Sequence, residues 1–111
     1  MGGNHEASNY LRDLYYGGYV AENIFFLGYS GVFNLQKNGH TLRIAGISGI
    51  EKHYNANRGY FEDWPYVQRY QFITSMFHIR QFEVAKLASV TQPIDFMISH
   101  EWPTVATKNV N

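Results

Sequence analysis

Two short motifs hold side chains able to work on a phosphate. Gly3-Asn4-His5-Glu6 lies at the start of the chain and Ser99-His100-Glu101-Trp102-Pro103 near its other end. A carboxamide oxygen and an imidazole nitrogen make a mixed O/N donor pair that suits Zn, Fe or Mn. On that reading Asn4 and His100 ligate a divalent metal. His5, next to one ligand, stands beside a metal-bound phosphate and protonates a leaving oxygen as general acid. That chemistry is a metal-assisted phosphodiesterase. Residue types alone favour a quieter account, because short motifs recur by chance. In it His5 and His100 are ordinary histidines and Asn4 caps a helix.

The elements that must position these groups are predicted from pattern. Ala7 to Leu14 reads as a short helix closed by Gly17 and Gly18, so Asn4 and His5 fall just before a helix. Asn23 to Leu27 reads as a short buried strand. Val32 to Leu35 and Leu42 to Ile47 flank Asn38-Gly39, a pair suited to a type I′ hairpin turn because both residues need positive φ. Ser48 to Val67 carries no period, and so long a loop inside a domain is usually functional. A long helix is predicted from Gln68 to Val90, ending before Pro93. Its apolar stripe is Ile73, Phe77, Val84 and Leu87, and the gap in it is Arg80, which must pair, snorkel or face an anion. Ile94 to Ile98 reads as a buried strand. His100 would then sit where ligands gather in α/β proteins, beyond the carboxyl end of a strand.

Composition narrows the classes. The 111 residues are 45% apolar and 17% aromatic, with nine acids against nine bases. A packed single domain is affordable, and disorder is excluded. A neutral chain lacks the basic excess of a purely electrostatic nucleic-acid binder, so any nucleic-acid contact is local. With no cysteine, disulfides and thiolate metal sites are excluded. No apolar run reaches membrane-spanning length and no signal-peptide pattern is present.

GGNHEASNYL at Gly2 to Leu11 resembles the GNHE segment of the calcineurin-like metallophosphoesterases and, more narrowly, of the RNA lariat debranching enzymes. The likeness continues through YGGYVAENIFFLGYSGV (Tyr16 to Val32), LRIAGISGI (Leu42 to Ile50), RGYFE (Arg58 to Glu62), FHIRQFEVAKL (Phe77 to Leu87) and QPIDFMISHEWP (Gln92 to Pro103). The resemblance implies an α/β fold, the central part of a metallophosphoesterase β-sandwich flanked by helices, spanning residues 1–111. It implies Asn4 and His100 as metal ligands and His5 as the acid protonating the departing 2′-oxygen at an intron branch point. Ser48 to Arg80 would be a lariat recognition loop embracing branched intron RNA. The implied setting is the nucleus, with mRNA splicing and intron turnover as the context and protein partners unknown.

Within that loop Lys52 and Arg58 are candidates to meet phosphates, with His78 and Arg80 as further substrate-binding candidates. The plainer account of Lys52 and Arg58 is a solvated pair balanced by Glu51, Glu62 and Asp63. Tyr54, Tyr60, Phe61, Trp64 and Tyr66 either stack on unpaired bases or pack the loop onto the domain, the second being expected for most. His40, in the hairpin turn, is expected to be solvated. His53 falls within the same loop segment.

Four departures from the family's pattern stand out. Glu101 replaces the aspartate of SHDWP. The hairpin Gln36 to Thr41 is longer than usual, and His53 to Asn57 differs. The family's upstream strand, upstream aspartate and downstream GHxH are not in this sequence. A two-metal site clamps both the attacking and the leaving oxygens, and two donors cannot hold it. The expectation is therefore a segment truncated at both ends, inactive and marginally stable on its own. The other functions compatible with these motifs are a branched-RNA-binding remnant without catalysis, or a related phosphatase or nuclease.

Overall fold

The computed structural model describes residues 1–61 and 70–104, and shows a mixed α/β chain with two small sheets. Helix α1 is Ser8–Asp13, as the Ala7 to Leu14 pattern predicts. Strands β1 (Gly18–Ala21) and β2 (Ile24–Phe26) form an antiparallel ribbon, turning through Asn23 at φ 62°. Strands β3 (Ser30–Lys37) and β4 (His40–Ile47) make the predicted hairpin, in register from Ser30↔Ile47 to Lys37↔His40. Asn38 and Gly39 take φ 51° and 79°, both positive as the two-residue turn demands. His40 is exposed beside this turn.

Beyond β4 the chain departs from the predicted loop and helix. A single-turn helix α2, His53–Ala56, sits inside the stretch read as structureless. Residues 62–69, which include Trp64, Tyr66 and the start of the predicted helix, lie outside the described residues. The predicted 68–90 helix is two helices, α3 (Tyr70–Met76) and α4 (Gln81–Ala88). Between them the backbone leaves the helix to pair with Ile50. The Ile50 amide donates to the Phe77 carbonyl at 2.8 Å, and the Ile79 amide donates to the Ile50 carbonyl at 2.9 Å. Tertiary pairing here overrides a modest helical preference.

The break also cancels the predicted stripe, since Phe77 falls between the two helices. Ile73 and Val84 are 45% and 41% exposed. Arg80, the gap in the stripe, becomes the N-cap residue of α4 and is 1% exposed.

Strand β5 (Phe96–Ser99) runs parallel to β4, Ile44↔Phe96 through Ile47↔Ser99. Its start is tied to β4 by Asp95. The Arg43 amide donates to Asp95 Oδ2 (2.7 Å) and the Asp95 amide to the Arg43 carbonyl (2.9 Å). Both strands predicted to be buried are mostly exposed. Phe96, Met97 and Ile98 are open on both faces of β5, which among the described elements packs mainly on β4, and in β2 only Phe26 is buried.

The interior, consequently, is polar. Beside Phe26, Tyr29, Ala45 and Met76 it holds Glu83 and Arg80, the largest fully buried side chains among the described residues. Helix α4 packs on β3 and β4 and delivers Glu83 beneath them. The Tyr15 and Ser30 hydroxyls donate to its two oxygens, and Lys86 Nζ lies 2.9 Å away. Such pairing is what allows a carboxylate to be buried.

Arg80 Nη2 donates to the Ser75 carbonyl at 3.1 Å, while its guanidinium lies 4.6 Å from the Tyr60 ring centre. Tyr60 in turn packs on Tyr29 and Tyr15, with ring centres 4.9 and 5.9 Å apart.

Alkaline pH should open this interior. Burial pushes the Tyr29 phenol from 10.0 up to about 12, against the pull of Arg12 and Arg80. It also raises Tyr15, where Glu83 adds to the effect, and Tyr60. The fold therefore favours neutral phenols. Their stabilisation is intact below pH 10 and is lost as pH rises from 10 towards 12. Tyr29 alone accounts for roughly 2–3 kcal/mol. The urea midpoint at pH 11.5 should fall well below that at pH 8, with phenolate absorbance appearing as the chain unfolds. A midpoint unmoved over that range would contradict the buried-phenol account.

Candidate active site

Strands β4 and β5 are parallel and finish side by side at Ile47 and Ser99. The segments that follow, Ser48–Glu51 and His100–Glu101, therefore emerge together at the carboxyl edge of the sheet. The N-terminal segment is bound against them. The Gly2 amide donates to Ser48 Oγ (3.1 Å), Ser48 Oγ donates to the Gly28 carbonyl (2.7 Å), and the Gly49 amide donates to the Gly2 carbonyl (2.9 Å). Gly49 needs to be glycine: its φ is +96°, and a Cβ would lie 2.2 Å from the Phe77 carbonyl oxygen.

This arrangement joins the two motifs. The His100 ring rests directly on Gly3, where a Cβ would come within 2.5 Å of His100 Cδ2 and Nε2. Asn4 is the next residue, half-buried, and His5 follows it exposed. Glu6 closes the turn, its carboxylate accepting from the Gly3 amide at 3.3 Å. Asn4 does not cap α1. The N-cap residue is Ala7, which makes no side-chain cap.

Glu101 also has a defined place. Its Oε2 accepts from the Glu51 amide at 2.6 Å, and its carbonyl accepts from Ser99 Oγ at 2.7 Å. The glutamate thus pins the end of β5 to the chain after β4. Asn4 Oδ1 and the His100 imidazole are the groups here able to hold a metal, and the bare Gly3 leaves room for the ring. Among the described residues no three His, Cys, Asp or Glu side chains gather as a metal cluster.

Gly3→Ala should be among the most damaging small changes at this edge. The new methyl would displace the His100 ring from the Asn4 turn. The expected result is a folded chain in which the His100 imidazole signals move and divalent-metal binding weakens at least about 10-fold, the scale set by disturbing a ligand's support. Imidazole signals identical to the parent chain's would show that the ring does not depend on Gly3.

The other predicted site residues are spread along the loop. Lys52 is half-buried and opens α2, one residue after the Glu51 amide that binds Glu101. Arg58 is exposed just past α2. His78 and Arg80 do not face solvent, being 5% and 1% exposed. His78 Nδ1 and Asn55 Nδ2 are 2.8 Å apart; an amide donor leaves Nδ1 as the acceptor of a neutral ring. Burial, with Arg80 and Lys52 nearby, lowers the His78 pKa, in keeping with that state. Both side chains hold α2 and Tyr60 in place from within. His53 and Tyr54 lie on the surface of α2, their ring centres 5.5 Å apart.

No protein-family model matches the chain. Among curated proteins it is 52% identical over 104 residues to the lariat debranching enzyme of Drosophila pseudoobscura pseudoobscura. It is 49% identical over 109 residues to that of Arabidopsis thaliana, and 48% over 103 residues to that of Homo sapiens. The chain matches a segment of the lariat debranching enzymes. The matches cover 93–96% of this chain but 18–24% of those relatives, so it spans about a fifth of their length. Tyr15, Ser30 and Glu83, which build the interior behind the site, gave no sequence signal except the Glu83/Lys86 spacing of three residues along a helix.

Proposed function

We propose that this chain is part of the catalytic domain of a metal-dependent phosphodiesterase that opens RNA lariats at the 2′,5′-linked branch. The observation that carries the reading is the His100 ring seated on Gly3, which unites the GNHE and SHEWP motifs at one sheet edge. The similarity to lariat debranching enzymes supports the same reading. The fold of the whole is a calcineurin-like metallophosphoesterase sandwich, and β3–β4–β5 belong to it.

Asn4 Oδ1 and the His100 imidazole would hold a divalent ion of Zn, Fe or Mn type, with further donors from elsewhere in the larger protein. When bound, such an ion polarises the phosphate and lowers the pKa of a water. His5 delivers a proton to the departing 2′-oxygen. Glu101 and Ser48 fix the segments that carry these groups. The segment from Ser48 to Arg80 receives the branched RNA, with Lys52 and Arg58 near phosphates and His78 and Arg80 shaping it from below. The reaction belongs in the nucleus, where introns are excised.

The 111-residue chain supplies two recognisable donors, and alone is expected to give no turnover with any of these metals. The deciding experiment restores the chain to a full-length enzyme and compares branched with linear RNA of the same sequence. Preferential cleavage at the branch is expected. Equal cleavage of both would reject debranching in favour of a general nuclease.

A further inference from the structure

The tip of the β3–β4 hairpin carries chemistry of its own. We infer that Asn38 is a site of self-modification: the Gly39 backbone nitrogen captures its carboxamide, and the residue is converted, with loss of ammonia, to an aspartyl or isoaspartyl form. The inference stands apart from the RNA reading.

The step balances without any further reactant than water. The Gly39 nitrogen gives up its proton to solvent base and bonds to Asn38 Cγ. The Cγ–NH2 bond breaks, and the nitrogen leaves with an added proton as ammonia. The product is a five-membered imide holding Asn38 Cα, Cβ, Cγ and carbonyl carbon with the Gly39 nitrogen. Water then adds to one of its two carbonyls. Opening at Cγ restores the ordinary backbone with a side-chain carboxylate. Opening at the main-chain carbon routes the backbone through Cγ and leaves the carboxylate on Cα. One water is consumed, one ammonia is released, and nothing is oxidised or reduced.

Three observations place this reaction at Asn38. The first is its neighbour. Of the asparagines in the sequence, Asn38 alone is followed by glycine. A side chain on the following residue crowds the attacking nitrogen, and glycine has none. A Cβ built on Gly39 would meet nothing within 4 Å, so the approach is open.

The second is freedom. Asn38 and Gly39 are exposed, and the strand ladder ends at Lys37↔His40, leaving the Gly39 amide outside it. Among the described residues no hydrogen bond holds the Asn38 carboxamide or the Gly39 amide. Ring closure requires rotation about Asn38 ψ. The last ladder pair is what resists it, and such an exposed end frays at small cost. Asn55 and Asn34 differ: Asn55 is 6% exposed and bound to His78, and Asn34 accepts from Arg43 Nε.

The third is a control built into the fold. Asn23 turns the β1–β2 ribbon at φ 62°, close to the 51° of Asn38. Ile24 follows it, and a β-branched side chain stands beside the nitrogen that would attack. The two asparagines share a backbone conformation and differ in their neighbour.

Either product adds one negative charge, beside Lys37 and His40, to a chain whose formal net charge is zero. The isoaspartyl form also lengthens the main chain inside a two-residue turn, so the Lys37↔His40 pair loses its register.

The test incubates the folded 111-residue chain at mildly alkaline pH, with circular dichroism read alongside. Ion exchange follows the acidic form, and peptide mass spectrometry with isoaspartyl-sensitive fragmentation locates it. Asn38 should convert at least about 10-fold faster than Asn23 or any other asparagine, a barrier lower by about 1.4 kcal/mol. Asn38→Gly, which this turn accepts, should keep the parent dichroism and abolish the early acidic form. Conversion at Asn38 no faster than at Asn23 overturns the inference, as does an early acidic form that persists in Asn38→Gly. Conversion seen only after urea unfolds the chain would mean that the hairpin protects Asn38, and overturns it too.

Discussion

Glu83→Ala is expected to destabilise the fold by about 3–5 kcal/mol, the cost of breaking a buried, paired charge. The carboxylate is 1% exposed and receives hydrogen bonds from Tyr15 and Ser30, with Lys86 alongside. Alanine leaves two hydroxyls without an acceptor and Lys86 without its partner. The void also opens beneath the Tyr15, Tyr29 and Tyr60 rings. Domains of this size hold only about 5–15 kcal/mol in total, so the variant should sit close to unfolding at room temperature. Glu83→Gln retains one acceptor oxygen and should lose less, roughly 1–3 kcal/mol. Urea unfolding followed by circular dichroism reads both. An alanine variant within about 1 kcal/mol of the parent would mean the network does not anchor α4 to β3.

The same residue shows where sequence reading stops. In QFEVAKLA, Glu83 has the look of a solvated helix charge, and only the fold turns its face inward. The hairpin was legible because its determinants are local: Asn38-Gly39 sets the turn, and alternating residues set the register. Asn4, His5 and His100 stand out from residue type and resemblance. The seating of His100 on Gly3 is not legible there, because it depends on β5 lying parallel to β4 and on Gly3 having no side chain. The helix predicted from Gln68 to Val90 failed for a related reason. Nothing within Phe77–Arg80 announces that Ile50 will take its backbone hydrogen bonds. Arg80, the gap in the apolar stripe, does need a partner. That partner is an aromatic ring and a carbonyl rather than an anion.

In a full-length enzyme carrying this chain, His5→Ala should lower the debranching kcat by about 10²–10⁴-fold while leaving metal content unchanged, the range for removing a general acid. His5 is exposed beside Asn4, within the turn closed by Glu6, so its removal disturbs no core. His100→Ala should behave differently. On the proposed reading it removes a metal donor, so metal binding and turnover should fall together, and added metal should restore part of the rate. The leaving group gives the sharper discrimination. A 2′-oxygen departs as a strong base and needs a proton, whereas a 2′-sulfur does not. On a branched RNA carrying a 2′-sulfur at the scissile position, His5→Ala should therefore recover to within about 10-fold of the parent enzyme. The His100→Ala defect should persist on that substrate, because the phosphate still requires its metal. A His5→Ala defect of equal size on oxygen and sulfur substrates would show that His5 orients the RNA rather than protonating the leaving group.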